Sequence, residues 1–118
     1  MSSIILLASI LTGEASGCTV EARVDVAWVV LHREGAGIEG GWAAIAEAPN
    51  VEDLAIAIAV YSAHLGYRSE LWLVDRYPNT LYAISEADMR SGKLYWLKGR
   101  EPTAWHRCDN NSHEVILF

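Results

Sequence analysis

The sequence predicts a mainly helical α+β domain, with N-terminal helices followed by a small antiparallel sheet. Three observations predict it. The 118 residues are room for one ordinary domain, 1–118. Through the first half, apolar residues recur at helical spacing behind residues suited to cap helices. The second half changes to short β-prone runs separated by turn chemistry. Apolar residues make up 52% and charged residues 20%, enough for a real core and too apolar for a disordered chain.

The first element, 4–11, reads as a short helix ending at Gly13, apolar on most faces and therefore buried. Thr19 is the N-cap of a second helix, with Glu21 in the first turn favouring the helix dipole. Val20, Val24, Ala27, Trp28 and Leu31 form its stripe, widened by Val26, Val29 and Val30, so this is the expected central helix. Arg33 suits its C-terminal end, and Gly35 and Gly37 stop it. Residues 38–48 read as a short third helix around Trp42 and Ile45, ended by Pro49. Asn50 then caps a helix with Glu52 and Asp53 in its first turn, an inner stripe of Leu54, Ile58, Tyr61 and Leu65, and Gly66 at C′.

In the second half, 71–74 and 80–84 read as strands around the turn Tyr77-Pro78-Asn79. Ser85 caps one or two helical turns over 86–91, stopped by Gly92. Residues 94–97 and 114–118 read as further strands.

Lys and Arg total 9 against 15 Asp and Glu, a net charge of -6. That balance argues against a nucleic-acid partner, whose phosphates call for basic residues. No apolar run approaches the roughly 20 residues that span a bilayer. Residues 4–11 lack the basic flank of a signal peptide, so no export signal is visible. Cys18 and Cys108 are open to two readings, a disulfide closing a long loop or two reduced, buried thiols. The missing export signal favours the thiols.

Glu14 is the main candidate for chemistry. It stands in Thr12-Gly13-Glu14-Ala15-Ser16-Gly17, where glycines on both sides put it at a break between two buried helices. Apolar walls disfavour a carboxylate's charged form, which suits a general acid working near neutral pH. A solvated loop Glu, or one bonding the amides that open the next helix, is the alternative. His106, Cys108 and His113 lack a fourth ligand and a regular zinc spacing, so no metal is expected. Gly35-Ala36-Gly37-Ile38-Glu39-Gly40 matches the dinucleotide fingerprint in letters but lacks the βαβ unit, so no cofactor is expected.

Glu14-Ala15-Ser16-Gly17, then Val26-Ala27-Trp28-Val29-Val30-Leu31-His32-Arg33, resembles the signature of SleB-like cell wall hydrolases, the spore-cortex-lytic type. His113-Glu114-Val115-Ile116-Leu117-Phe118 is similar to that family's closing strand, and 82–89 to a strand-then-helix piece of its short members. The specific part spans 12–33, about a fifth of the chain. His32 stands where the family has Asn, Cys18 where it has a second Glu, and the family's long central insert is not recognisable.

The resemblance implies a lysozyme-like fold and an enzyme, a peptidoglycan-cleaving glycosidase or lytic transglycosylase. Glu14 would be its single general acid, acting between N-acetylmuramic acid and N-acetylglucosamine. It implies peptidoglycan glycan strands as the partner and the bacterial cell wall as the place of action, as for a phage lysin. If a second carboxylate assists, the candidates are Glu21, Glu70 and Asp75. Flat apolar sugar faces pair with aromatic platforms. With five Trp and five Tyr, Trp28 is assigned to the core, while Trp72, Tyr77, Tyr82 and Trp105 are the candidate substrate-binding platforms, with Trp96 in the same half. The departures leave a second expectation, a non-catalytic glycan-binding or structural descendant of the same fold.

Overall fold

A computed structural model describes residues 3–33, 48–67, 70–97, 99–109 and 113–118. The chain is α+β, with helices α1 (Ser3–Glu14), α2 (Val20–His32), α3 (Val51–His64) and the short α4 (Glu86–Arg90), and strands β1 (Ala83–Ser85), β2 (Ala104–Cys108) and β3 (His113–Leu117). The expected third helix at 38–48, the stop at Gly35 and Gly37, and the Gly35–Gly40 fingerprint fall largely or wholly on residues outside those described.

Local chemistry sets the helix ends. Thr19 Oγ1 accepts from the Ala22 amide at 3.2 Å, Asn50 Oδ1 from Asp53 at 2.7 Å and Ser85 Oγ from Asp88 at 3.1 Å. Each occupies one amide that a helix start leaves without a backbone partner. At the end of α3, Gly66 adopts φ 84°, Gly66 N–H bonds Ala63 O and Tyr67 N–H bonds Ser62 O, both at 3.0 Å. That is the Schellman closure, with glycine where a left-handed residue is required.

Gly13 does not stop α1, which runs on to Glu14. The left-handed residue that turns the chain is Gly17, at φ 77°. The inner face of α3 also departs from the expected stripe. Ile58 and Leu65 are exposed, and Asp53, Ile56, Ala57 and Val60 are buried instead. The cause is Asp53, whose bonds to Thr12 of α1 and Arg23 of α2 turn its own face inward. Residues 71–74 and 94–97 are not strands. Leu71–Leu73 and Tyr95–Leu97 form single 3-10 turns that drive Leu73 and Leu97 into the core.

The sheet has the order β1-β3-β2, all antiparallel. β3 is central and buried from both sides. Val115 and Leu117 join the core built by the three long helices, while Ile116 and Phe118 join Leu97, with Tyr82, Ile84, Met89 and Leu94 around them. In β2, period-two alternation turns Ala104, His106 and Cys108 to the helices and Trp105 and Arg107 away.

Candidate functional site around the α1–α2 turn

Glu14 is the last residue of α1 and is half-buried. The chain then turns tightly, with Ala15 N–H bonded to Leu11 O at 3.0 Å and Cys18 N–H to Ala15 O at 3.1 Å. Residues 15–18 form one wall of an open hollow of about 490 Å³, and Asn50, Glu52 and Asp53 at the start of α3 form another, with Arg23 between the helices.

A polar knot fixes that geometry. Thr12 Oγ1 donates to Asp53 Oδ2 at 2.8 Å and accepts from the Asn50 amide at 3.1 Å. Arg23 binds Asp53 Oδ1 at 2.9 Å and also reaches Glu52. Burial pulls the Arg23 pKa down, but the bonds to Asp53 and Glu52 outweigh it and raise the pKa above its ordinary value. Asp53 is 1% exposed, so its charge is tolerated only because the guanidinium and the hydroxyl meet it. The end of α1, the start of α2 and the start of α3 are thereby held in one frame.

The far side of the turn is closed by a disulfide. Cys18 and Cys108 are bonded, with Cα atoms 4.3 Å apart, so of the two open readings the structure has the disulfide. The pairing is tertiary, since the inner face of β2 delivers Cys108 to the α1–α2 turn. The bond also removes Cys108 from any metal set with His106 and His113. Beside it, Asp109 N–H donates to Gly17 O at 3.0 Å. The Asp109 carboxylate fills the space that a side chain at 17 would need.

The predicted platforms are dispersed. Trp72 is half-exposed over a separate groove of about 310 Å³ on the outer face of α3, with Ile58, Ala59 and Tyr67, and its Nε1 donates to Glu70 Oε2 at 2.7 Å. Tyr77 packs on the main core with the Arg76 guanidinium 5.6 Å from its ring centre. Tyr82 packs in the smaller cluster with Arg33 at 5.6 Å. Trp105 stands on the outer face of β2, opposite to Cys108, and donates Nε1–H to Glu114 at 2.9 Å. Neither Glu14 nor any of these four is among the residues lining the hollow, whose nearest wall starts at Ala15. Trp28 is core, and its Nε1 donates to Leu73 O at 2.8 Å.

The proposed second carboxylates are engaged elsewhere. Glu21 binds Arg76, Glu70 binds Trp72, and Asp75 accepts from the Tyr77 amide at 3.0 Å and from His32 Nε2 at 2.5 Å. His32 Nδ1 faces Thr80 O at 2.6 Å. His32 thus ties the end of α2 to the 75–80 segment.

Sequence reading missed Arg23, Asp53 and the buried Asp25. Asp25 is 2% exposed, takes both oxygens to Arg76 at 2.9 and 2.8 Å, and meets His106 Nε2 at 2.8 Å. The available signal was an acidic residue within an apolar helical face, because a fully buried carboxylate must have a partner. Comparison of the chain with protein-family models, curated proteins and solved structures finds no match.

Proposed function

We propose that the chain cleaves peptidoglycan glycan strands, as a glycosidase or lytic transglycosylase with Glu14 as the general acid. The observation that carries this reading is the setting of Glu14. It is half-buried at the end of a buried helix, directly before a turn that walls an open hollow. A general acid must be held still beside a space that a leaving group can enter. The Thr12–Asp53–Arg23 knot and the Cys18–Cys108 bond provide the stillness from two sides.

In the proposed step, the Glu14 carboxyl gives its proton to the glycosidic oxygen as the bond to the anomeric carbon breaks. Positive charge develops on the sugar. Water then adds, giving hydrolysis, or the sugar's own 6-hydroxyl closes, giving a 1,6-anhydro product, and in either case the Glu14 carboxylate takes up the proton released and is restored as the acid. Purified cell walls should clear with the wild type and stay turbid with Glu14→Gln, a loss of at least about 100-fold. Equal clearing by both removes Glu14 from the mechanism. Mass spectrometry of the released sugars separates hydrolysed from anhydro ends.

The Trp72 groove favours a second reading, glycan binding without cleavage. That reading predicts retention on peptidoglycan, no released reducing ends, and a loss of retention in Trp72→Ala.

A further inference from the structure

We propose that the chain pairs with a second copy of itself through strand β2, joining two three-stranded sheets into one of six. β3 lies between β1 and β2, so β2 has a hydrogen-bonded neighbour on one side only. The Phe118 N–H and C=O both bond Tyr82, at 2.9 and 3.2 Å, which fixes the alternation along β3. Ile116 and Phe118 turn their main chain to β1, and Val115 and Leu117 turn theirs to β2. The register then gives Ala104, His106 and Cys108 the bonds to β3, and it leaves the N–H and C=O of Trp105 and Arg107 aimed away from the sheet. Among the described residues, nothing is bonded to them there.

An unpaired edge is a template for another strand. Here both ends of the edge are closed, which limits what can add to it. At one end Pro102 has no N–H, and Thr103 turns its own inward to Leu117 O at 2.7 Å. At the other end the Asp109 N–H, next in the outward series, is taken by Gly17 O at 3.0 Å. A visiting strand can therefore bond Trp105 and Arg107 and little else. Three two-fold axes would set β2 antiparallel to itself with outward groups facing. An axis at Arg107 opposes two guanidinium groups and needs the Asp109 amide. An axis at Trp105 needs the Thr103 amide. An axis at His106 needs neither. It sets Trp105 opposite the partner's Arg107, and Arg107 opposite the partner's Trp105, each pair exchanging both N–H···O bonds.

The side chains complement that same register. Trp105 and Arg107 are exposed on one face of the sheet, with Glu114 of β3 between them. Trp105 Nε1 donates to Glu114 Oε2 at 2.9 Å, and Arg107 Nε lies 3.5 Å from Glu114 Oε1. The carboxylate steadies both side chains before a partner arrives. Across the His106 axis each guanidinium meets the partner's indole, a cation–π contact made on both sides of the axis. Glu114 also balances the charge of Arg107, so two chains of net charge -6 meet at a locally neutral patch. A two-fold pair uses up this edge on both copies, so association through it stops at two.

Sedimentation equilibrium of the full chain from about 1 μM to about 1 mM reads the pairing, the upper end reaching contacts as weak as a small interface gives. The wild-type mass is expected to climb from 13.0 kDa towards twice that value and level there. Arg107→Pro removes an outward N–H and spares the bonds to β3, so it should weaken Kd by at least about 10-fold. Trp105→Arg sets guanidinium against guanidinium across the axis and should weaken it by a similar factor. The double variant Trp105→Arg/Arg107→Glu restores an opposite-charge pair and should recover the dimer. Circular dichroism and melting temperature check that each variant is folded, and if Arg107→Pro is not, the two charge variants decide. The proposal is overturned if the wild type stays at 13.0 kDa throughout, if its mass passes beyond two copies, or if folded Arg107→Pro or Trp105→Arg pairs like the wild type. A double variant that pairs no better than Trp105→Arg overturns the His106-centred register.

Discussion

Gly17 and Gly66 share a backbone shape and differ in what surrounds them. Their φ angles are 77° and 84°. Replacing either with Ala carries the cost of a left-handed residue, about 1 kcal/mol. At Gly66 nothing lies within 4 Å of a built Cβ, so the cost should stop there. At Gly17 the new methyl takes the place of the Asp109 carboxylate, next to the disulfide and three residues from Glu14. Gly17→Ala should therefore cost more than Gly66→Ala, because the exposed Asp109 carboxylate must also swing aside. For a domain of this size, each kcal/mol lowers the melting temperature by about 3–6 °C. Thermal melts of the two variants measure the difference. Equal shifts would mean that Asp109 moves aside freely and does not clamp the turn. The sequence marks Gly17 as a turn residue, but its neighbour follows β2 and is invisible to any local reading.

Among the elements, those fixed by near neighbours were legible and those fixed by distant partners were not. Thr19, Asn50 and Ser85 cap the helices expected of them because a cap is settled within four residues. Gly66 ends α3 for the same reason. Leu71–Leu73 and Tyr95–Leu97 have strand-like composition, yet a strand needs a hydrogen-bonded neighbour, and β3 has one on each side already. β2 carries no local strand signal because its inner face alternates Ala104, His106 and Cys108, which no apolar pattern reveals. His106 is acceptable there because Asp25 of α2 meets it. Of the hollow, only the α1–α2 turn is legible locally, since the Arg23–Asp53 knot that faces it is assembled from other elements. Asp25 makes the dependence on distant partners measurable. It is 2% exposed, and its partner Arg76 is 39% exposed. Hydrogen bonds to Asp25 and then to Glu21 raise the Arg76 pKa above its ordinary value, against the opposing effect of burial. A raised pKa keeps this contribution whole below the ordinary arginine value, and it is lost only as pH rises through the still higher folded value, so stability from this pair should be flat through the neutral range. Arg76→Met strands a buried carboxylate with His106 as its one remaining partner among the described residues and should cost about 3 kcal/mol or more. Asp25→Asn should cost less, because the half-exposed guanidinium can return to water. Urea unfolding of both variants checks the order, and the reverse order would mean that Asp25 is hydrated in solution.

Across the whole molecule, one covalent bond joins the two halves that the sequence separates. Cys18 opens the approach to α2 and Cys108 ends β2, 90 residues apart. Closing a loop of that length removes unfolded-state entropy worth about 4–5 kcal/mol in the chain-entropy account. Domains of this size are stable by only about 5–15 kcal/mol in total, so the bond is a large share of the balance. The packed core does not depend on it alone. Val115 and Leu117 of the central strand lie against the helices by apolar contact, and Asp25 bridges α2 to His106 and Arg76 independently. The reduced protein should therefore remain folded at room temperature with a melting temperature lower by about 10 °C or more. Thermal melts with and without a thiol reductant measure the shift. The double variant Cys18→Ala/Cys108→Ala should melt at the reduced temperature and ignore reductant. If Glu14 works from the turn that Cys18 anchors, cell-wall clearing by the reduced protein should fall even at temperatures where its folded fraction is unchanged. Clearing that tracks the folded fraction alone would mean that the bond stabilises the fold without shaping the site.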